Sequence, residues 1–564
     1  MTDTPSNKPR PDLRIVSSLD EAEVLAEGGP APPDGPSGSE APGGESAASE
    51  ASHGGAGGAA GEAETGFIRG RSGDDHAALD MACAWLPRTD LGNAQRFVKR
   101  FGEQFLHVEQ WGWLAWDGSR WNAHEADAIL ARAVHDTVKA IDREAEAFAD
   151  SGHDQLLGDK KDIWISDKIR GWCLASQGNA HISCIARLAQ SYLTASPDSF
   201  DRDPMALNVA NGTLRIAKTS DGSDYVRFSP HDRADRMTKI TAVAYDRSAT
   251  APLYDRFLCR VQPDAAMRRH LHAWGGISLT GLLLARLSFW YGTGRNGKST
   301  LVDIWAHVMG DYAQTIPIES FLDQGRTRRG GEASPDIAAL PGIRCLRTSE
   351  PEKGSKLAES LVKLVTGGEP LRARHLNRDF FEFRPQFKLT MQGNYKPRID
   401  GTDEGIWARM LLVPWSVMIP EEERDATLPD KLRAEASGVL NALLDGLADY
   451  LDNGLNPPAE VIAATAEYRE DSDPIGRFIA DCTVVSPPDS GAKVEGGPFY
   501  KLYVAWAKAN GERPFSPKAF SRGLQDHGIR RHKSSGIYYL GIDTTKTVAD
   551  FKDQEFEDEP PKRY

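Results

Sequence analysis

Apolar and polar residues alternate in the segment FLHVEQWGWLAWDGSRWNAH, which spans residues 105–124. Alternation on both sides of Asp117-Gly118 predicts a β-hairpin, because this dipeptide favours a tight turn. The segment is rich in tryptophan, and we interpret the rings as a small hydrophobic core, with base stacking as the alternative: Trp111, Trp113, Trp116 and Trp121. Residues 126–150 then repeat apolar positions at helical spacing, and PMALNVANGTLRI predicts a second hairpin around Asn211-Gly212.

A different pattern occupies residues 250–420, where short apolar runs alternate with longer helical segments. The predicted strands are RLSFWYG, GIRCLRTSE and FRPQFKLTMQGN, and the predicted helices that follow the first two are KSTLVDIWAHVMG and KLAESLVKLVTG. Strands that alternate with helices favour a mostly parallel sheet with crossover helices. The predicted fold class is therefore α/β, with residues 85–245 as an α+β N-terminal domain before it.

The flanking segments differ in composition. Residues 1–75 are an acidic, low-complexity tail of Gly, Ala, Ser, Pro and Glu, which we expect to be disordered because it has little to bury. Residues 421–480 predict a helical segment. In residues 481–545, Ser516 and Pro517 are good first residues for a short helix, and a basic turn and a strand pair follow. This order predicts a C-terminal winged-helix-like domain, and residues 546–564 predict a flexible tail.

The charge is distributed unevenly along the 564 residues. The net charge is −14, and the stretch between Arg14 and Arg69 holds ten acidic residues and no Lys or Arg, which leaves about −4 for the rest. The acidity therefore does not argue against a nucleic-acid partner. The six cysteines form no C-x-x-C pair, and the chain has neither a secretory signal nor an apolar stretch long enough for a bilayer. We expect a cytoplasmic protein with no membrane partner.

The segment FWYGTGRNGKSTL carries the strongest chemical signal. GTGRNGKS satisfies the phosphate-binding pattern G-x-x-x-x-G-K-[ST], follows a predicted strand and opens a predicted helix. Lys298 would reach the β- and γ-phosphates of a nucleotide, and Ser299 would hold Mg²⁺. We expect ATP and Mg²⁺ as cofactors, with these nucleotide-binding residues: Gly292, Thr293, Gly294, Arg295, Asn296, Gly297, Lys298, Ser299 and Thr300.

Polar residues also follow later predicted strands. Glu350 is the predicted catalytic base and second magnesium contact. Ser349 stands before it where an Asp is usual, so the magnesium contact of this segment would run through water or involve Glu352. Asn394 would orient the attacking water. Arg409 precedes an apolar strand, and an Arg delivered across a subunit interface can stabilise transition-state charge. An ion pair within the chain is the alternative for Arg409.

Basic residues cluster in two places. The segment LRARHLNRDFF supplies Arg372, Arg374, His375 and Arg378, whose charges suit the phosphates of a nucleic-acid strand. The C-terminal domain supplies the other predicted DNA contacts: Arg522, Arg530, Arg531 and Lys533. Ordinary solvent exposure is the alternative for both clusters.

The ordered motifs GTGRNGKST, SEPEKG, LVTGGEPLRARHL, FKLTMQGNYKPRI and GIWARMLLVPW resemble the superfamily 3 helicase module of phage and plasmid primase–helicases, which poxvirus primase–helicases share. The resemblance extends over about residues 85–545. It implies an AAA+-like P-loop NTPase core that assembles into a hexamer and threads single-stranded DNA with 3′ to 5′ polarity. Lys298, Ser299, Glu350 and Asn394 would belong to one subunit, and Arg409 would act on its neighbour.

The sequence thus favours an ATP-dependent DNA helicase of a phage, prophage or plasmid replication system. The rival hypotheses are a replication initiator that binds DNA and uses ATP as an assembly switch, and a DNA-packaging ATPase. Many members of the resembling family carry an N-terminal primase domain, but residues 1–75 are too short and too poor in apolar residues for one. We therefore expect no primer synthesis by this chain, and a separate primase or another replication protein is a possible partner, as is duplex DNA.

Overall fold

The computed structural model describes residues 73–157, 163–217, 226–323, 335–374, 380–399 and 404–554. Almost all of the predicted N-terminal tail lies outside these residues, as do His375 and Arg378. The described residues form a mixed α/β structure with a parallel sheet and surrounding helices, which agrees with the predicted α/β class. Within them, no helix is long and apolar enough to cross a membrane.

The N-terminal region contains helices and two small antiparallel sheets, and the buried side chains of the second sheet join the core of the central region. Its elements are α1 (Gly73–Ala84), α2 (Asp90–Phe101), β1 (Phe105–Val108), β2 (Gly112–Trp116), β3 (Trp121–Asn122), α3 (Ala126–Asp150), α4 (Ile165–Ser176), α5 (Asn179–Leu193), β4 (Ala206–Val209), β5 (Gly212–Ile216) and β6 (Val226–Ser229). Strands β2 and β3 pair around Asp117, whose carboxylate accepts hydrogen bonds from the backbone N–H groups of Ser119 and Arg120. Both predicted hairpins and the long helix α3 are confirmed.

The tryptophans of the first hairpin contribute to the core, as predicted. Trp113 joins the cluster between α2, α3 and α5, and Trp121 joins a second cluster beside it. Trp111 and Trp116 pack partly buried against that second cluster. The rings therefore stabilise the sheet from within.

The central region contains the parallel sheet. Its elements are α6 (Pro252–Val261), α7 (Ala265–Ile277), β7 (Leu287–Tyr291), α8 (Lys298–Met309), β8 (Ala313–Ile316), α9 (Pro335–Ala338), β9 (Cys345–Thr348), α10 (Glu359–Gly367), β10 (Leu371–Ala373), β11 (Phe381–Phe383), β12 (Lys388–Gly393), α11 (Glu404–Trp407), β13 (Met410–Pro414), α12 (Leu428–Ala434), α13 (Ala436–Asn453) and α14 (Ala459–Asp471).

The sheet has the strand order β13-β7-β12-β9-β8, and every pair in it is parallel. Strand β7 reads LSFWY, and its first four residues are buried, as expected for a strand covered on both faces. Helices α7 and α13 pack closely behind the sheet, because Gly276 has no side chain: a methyl group there would lie 2.3 Å from the backbone nitrogen of Leu447. Strand β8, with the sequence AQTI, was not predicted.

The C-terminal region has its own aromatic core. Its elements are α15 (Pro474–Cys482), β14 (Thr483–Val485), β15 (Lys493–Glu495), α16 (Gly496–Ala509), α17 (Pro517–Asp526), β16 (Arg530–Lys533), β17 (Ile537–Leu540) and β18 (Ile542–Thr544). Ser516 caps α17 as predicted, because its side chain accepts from the N–H of Ala519. The predicted basic turn is wrong in one respect: Arg530, Arg531 and Lys533 lie in strand β16, which pairs with β17.

Candidate functional site

The phosphate-binding pattern forms the turn between β7 and α8. Gly294 and Gly297 adopt φ of +94° and +84°, and Arg295 adopts +54°, so three of the four residues 294–297 lie in the left-handed region that favours glycine. At Gly297 a methyl group would also lie 2.7 Å from Cγ1 of Val261. The glycine therefore lets the turn pack against α6 where α8 begins.

Lys298 is the first residue of α8, and its ammonium is buried. Nζ donates to the carbonyl of Gly292 at 2.9 Å, to Oδ1 of Asn296 at 3.2 Å and to Oδ1 of Asn394 at 3.4 Å. These contacts match the three N–H donors of an ammonium group. Burial lowers the pKa of Lys298, and the negative charge of Glu350 partly offsets that shift.

Asn394 links Lys298 to Glu350. Its Nδ2 donates to Oε2 of Glu350 at 2.9 Å, while its Oδ1 accepts from the lysine. Asn394 directly follows β12, and Glu350 lies two residues after β9. Because β7, β9 and β12 are parallel, their carboxyl ends meet at one edge of the sheet, and the predicted residues Lys298, Glu350 and Asn394 come together there.

Ser299 lies in the first turn of α8, whose leading N–H groups have no partner within the helix. Such a helix end attracts anions, so the loop can bind phosphate. The hydroxyl of Ser299 and the exposed carboxylate of Glu350 are oxygen ligands of the kind that Mg²⁺ prefers. Ser349 contributes differently: its Oγ accepts from the N–H of Ile318 at 2.9 Å, which ties the end of β9 to the segment after β8.

Asn296 makes structural contacts that its position in the sequence pattern does not predict. Its side chain is buried, and its Nδ2 donates to the carbonyl of Trp415 at 3.0 Å while its Oδ1 accepts from Lys298. The Trp415 carbonyl in turn lies where a methyl group on Gly292 would clash, at 2.3 Å. The segment after β13 therefore supports the phosphate-binding loop. This contact joins residues that are 119 positions apart, so no local pattern signals it.

The structure does not bring Arg409 to Lys298 within one chain. Arg409 immediately precedes β13, and its carbonyl accepts from the N–H of Leu287, the first residue of β7. The length of β7 separates that point from the phosphate-binding loop, about 16 Å for five residues. The guanidinium instead donates to Oγ1 of Thr366 at 3.1 Å and to the carbonyl of Gly405 at 2.7 Å.

The predicted DNA contacts lie in two separate places. Arg372 is in β10 and Arg374 directly follows it; β10 pairs with β11 as a hairpin inserted between α10 and β12. His375 and Arg378 fall outside the described residues. The other four predicted contacts are exposed on α17 and β16: Arg522, Arg530, Arg531 and Lys533.

Comparison with known proteins identifies one family match and several similar viral proteins. Residues 94–263 match the family described as D5 N terminal like. A putative helicase, L207/L206 of Acanthamoeba polyphaga mimivirus, is 30% identical over 274 residues, which cover 45% of this chain and 28% of that protein. Putative helicase 022R of Frog virus 3 is 26% identical over 315 residues, or 52% of this chain and 30% of that protein.

A third relative has a different printed name. Putative primase C962R of African swine fever virus is 26% identical over 218 residues, which cover 38% of this chain and 22% of that protein. The chain thus spans less than a third of the length of each of these three relatives.

Proposed function

Because these matches support a primase–helicase family for the chain, we propose that it is an ATP-dependent DNA helicase of superfamily 3 with an AAA+-like P-loop core. The observation that carries the proposal is the hydrogen-bonded series Lys298–Asn394–Glu350 at the carboxyl edge of the parallel sheet. A lysine on a phosphate-binding loop, an acidic base and an amide are the groups that ATP hydrolysis requires at one place.

In this proposal the phosphates of ATP bind at the N-terminus of α8. The γ-phosphate would replace the Asn394 oxygen at Lys298, since that contact is the longest of the three at 3.4 Å. Asn394 would then orient the attacking water, and Glu350 would accept its proton. Mg²⁺ held by Ser299 and, through water, by Glu350 would neutralise charge on the phosphates.

The position of Arg409 favours action on a neighbouring subunit. In its own chain it lies at the edge of the sheet opposite the loop, too far to reach a bound nucleotide. A ring, proposed as a hexamer, would place it against the next subunit's ATP. Arg409→Ala rings should be inactive alone and regain hydrolysis when mixed with Lys298→Ala subunits, which still carry the arginine.

We further propose that the hairpin β10–β11 contacts single-stranded DNA and that the C-terminal region is a winged-helix-like domain. The order of α15, β15, α16, α17, β16 and β17, with β15 and β16 on either side of β17, supports that assignment. Duplex DNA is the proposed ligand of β16. The enzyme would act in the cytoplasm during replication of a phage, prophage or plasmid, alongside a separate primase.

Replacement of Glu350 by Gln tests the assigned chemistry. The amide keeps the size of the side chain and can still contact Asn394, but it cannot accept the proton of the attacking water. We expect Glu350→Gln to bind ATP while its hydrolysis falls by about two to four orders of magnitude, the range for loss of a general base. Glu146→Gln, on the exposed face of α3, is the matched control and should hydrolyse ATP normally. Hydrolysis by Glu350→Gln at the rate of the unmodified chain would contradict the assignment.

A further inference from the structure

The two faces of the β10–β11 hairpin differ in chemistry. Leu371 and Ala373 are buried, and Phe381 and Phe383 pack against the same core cluster. Side chains alternate between faces along a strand, so Arg372 and Arg374 share the opposite face. Arg372 is exposed there, and Glu382 lies across from it in the register.

Phe380 organises this outward face. The register pairs Arg372 with Glu382 and Ala373 with Phe381, which places Phe380 opposite Arg374 and diagonal to Arg372. The guanidinium carbons of Arg372 and Arg374 lie 4.5 Å and 4.8 Å from the centre of the Phe380 ring. One aromatic ring therefore holds two cations that would otherwise repel each other.

Among the described residues, no acidic side chain neutralises the charge of Arg372 or Arg374. In the described part of the chain neither guanidinium forms an ion pair, although Glu382 is the cross-strand neighbour of Arg372. Nε of Arg374 is buried and has no hydrogen-bond partner there. Stacking on Phe380 is thus the described contact that fixes both side chains, and it leaves N–H groups free to donate.

We propose that Phe380 is the positioning residue of a two-arginine phosphate clamp, in which Arg372 and Arg374 bind the backbone of single-stranded DNA. Residues two apart on a strand are separated by about 6.6 Å, so the clamp presents two neighbouring charges along an extended line. Contacts of this kind bind phosphates without reading the bases. Ordering the side chains before DNA arrives removes part of the entropic cost of binding. The inference rests on the proposed helicase function.

The test is a double-mutant cycle measured by single-strand DNA binding to the full chain. Phe380→Leu should weaken binding by about five- to a hundredfold, because the two long side chains that the ring no longer orders must then be ordered when DNA binds. Phe380→Tyr keeps the ring and should restore affinity. In an Arg372→Ala, Arg374→Ala background, Phe380→Leu should have no further effect, because a positioning role acts only through the arginines.

Salt dependence gives a second readout. The slope of log K against log salt should decrease in magnitude by about 0.7 for each arginine contact removed. Arg132→Ala, which removes an exposed charge from α3, is the charge-matched control and should leave the slope unchanged. Equal binding by the unmodified chain and Phe380→Leu, or the same loss from Phe380→Leu in both backgrounds, would overturn the clamp. Failure of the unmodified chain to bind single strands would instead count against the proposed function.

Discussion

Replacement of Glu144 by Ala should destabilise the N-terminal region strongly. Glu144 on α3 accepts from Nε of Arg96 at 2.7 Å and from Nη2 of Arg100 at 2.8 Å, and both arginines lie on α2. The side chains of Arg96 and Glu144 are completely buried, at 0% exposure. Removing the carboxylate would leave a buried cation without its counter-charge.

The remaining contacts set the magnitude. Removing one partner of a buried ion pair costs about 3–5 kcal/mol. Arg96 would keep the carbonyls of Pro87 and Leu86, and Arg100 would keep Asp80 at 2.6 Å, so the lower end of that range applies. We expect a loss of about 3 kcal/mol, which is roughly a hundredfold in the opening equilibrium.

Hydrogen exchange of the full chain measures this loss locally, because peptides from α2 and α3 report on opening of that region. Their protection should fall by about a hundredfold in Glu144→Ala. Arg143→Ala is the control: Arg143 pairs with Asp80 at 3.2 Å, but its side chain is 57% exposed, so its loss should cost less than about 1 kcal/mol. A loss of protection in Glu144→Ala no greater than in Arg143→Ala would show that the buried ion pair does not stabilise this region.

Two further substitutions probe other regions. Gly292→Ala places a methyl group 2.3 Å from the Trp415 carbonyl and 2.4 Å from Nδ2 of Asn296, so binding of a fluorescent ATP analogue should be lost; normal affinity would show that the loop can shift. His527 contacts Asp473 at 2.9 Å, and this hydrogen bond raises the pKa of His527. The stabilisation is therefore complete below the ordinary value of about 6.5 and is lost as pH rises through the raised value. The melting temperature of the unmodified chain should exceed that of His527→Gln at low pH, and the difference should shrink as pH rises. A difference that does not change with pH would contradict this prediction.

Turn residues, helical spacing and a helix cap predicted the elements that depend on neighbouring residues in the sequence. The hairpin at Asp117, the helix α3 and the capped start of α17 at Ser516 all follow from spacing and turn residues. Strand β8 was not predicted, because the sequence AQTI has no strong strand pattern. Its extended conformation is stabilised by pairing with β9. That pairing is a long-range contact, which periodicity does not reveal.

The candidate site shows the same division. The phosphate-binding pattern predicted the loop, and the polar ends of later strands predicted that Glu350 and Asn394 would approach Lys298. The contacts of Asn296 and Phe380 could not be predicted, because each depends on which backbone or side chain lies opposite in three dimensions. The hydrogen bond that Ser349 accepts from the N–H of Ile318 likewise depends on a segment that is distant in the sequence.

ATP hydrolysis by the purified chain, measured with and without single-stranded DNA and beside Lys298→Ala, tests the helicase proposal most directly. We expect strong stimulation by single strands and loss of hydrolysis in the variant, because the proposal places the Lys298 cation against the phosphates of ATP. Hydrolysis that is indifferent to single strands would contradict the helicase proposal and favour an ATP-switched initiator. Hydrolysis retained in Lys298→Ala would remove this loop from the mechanism.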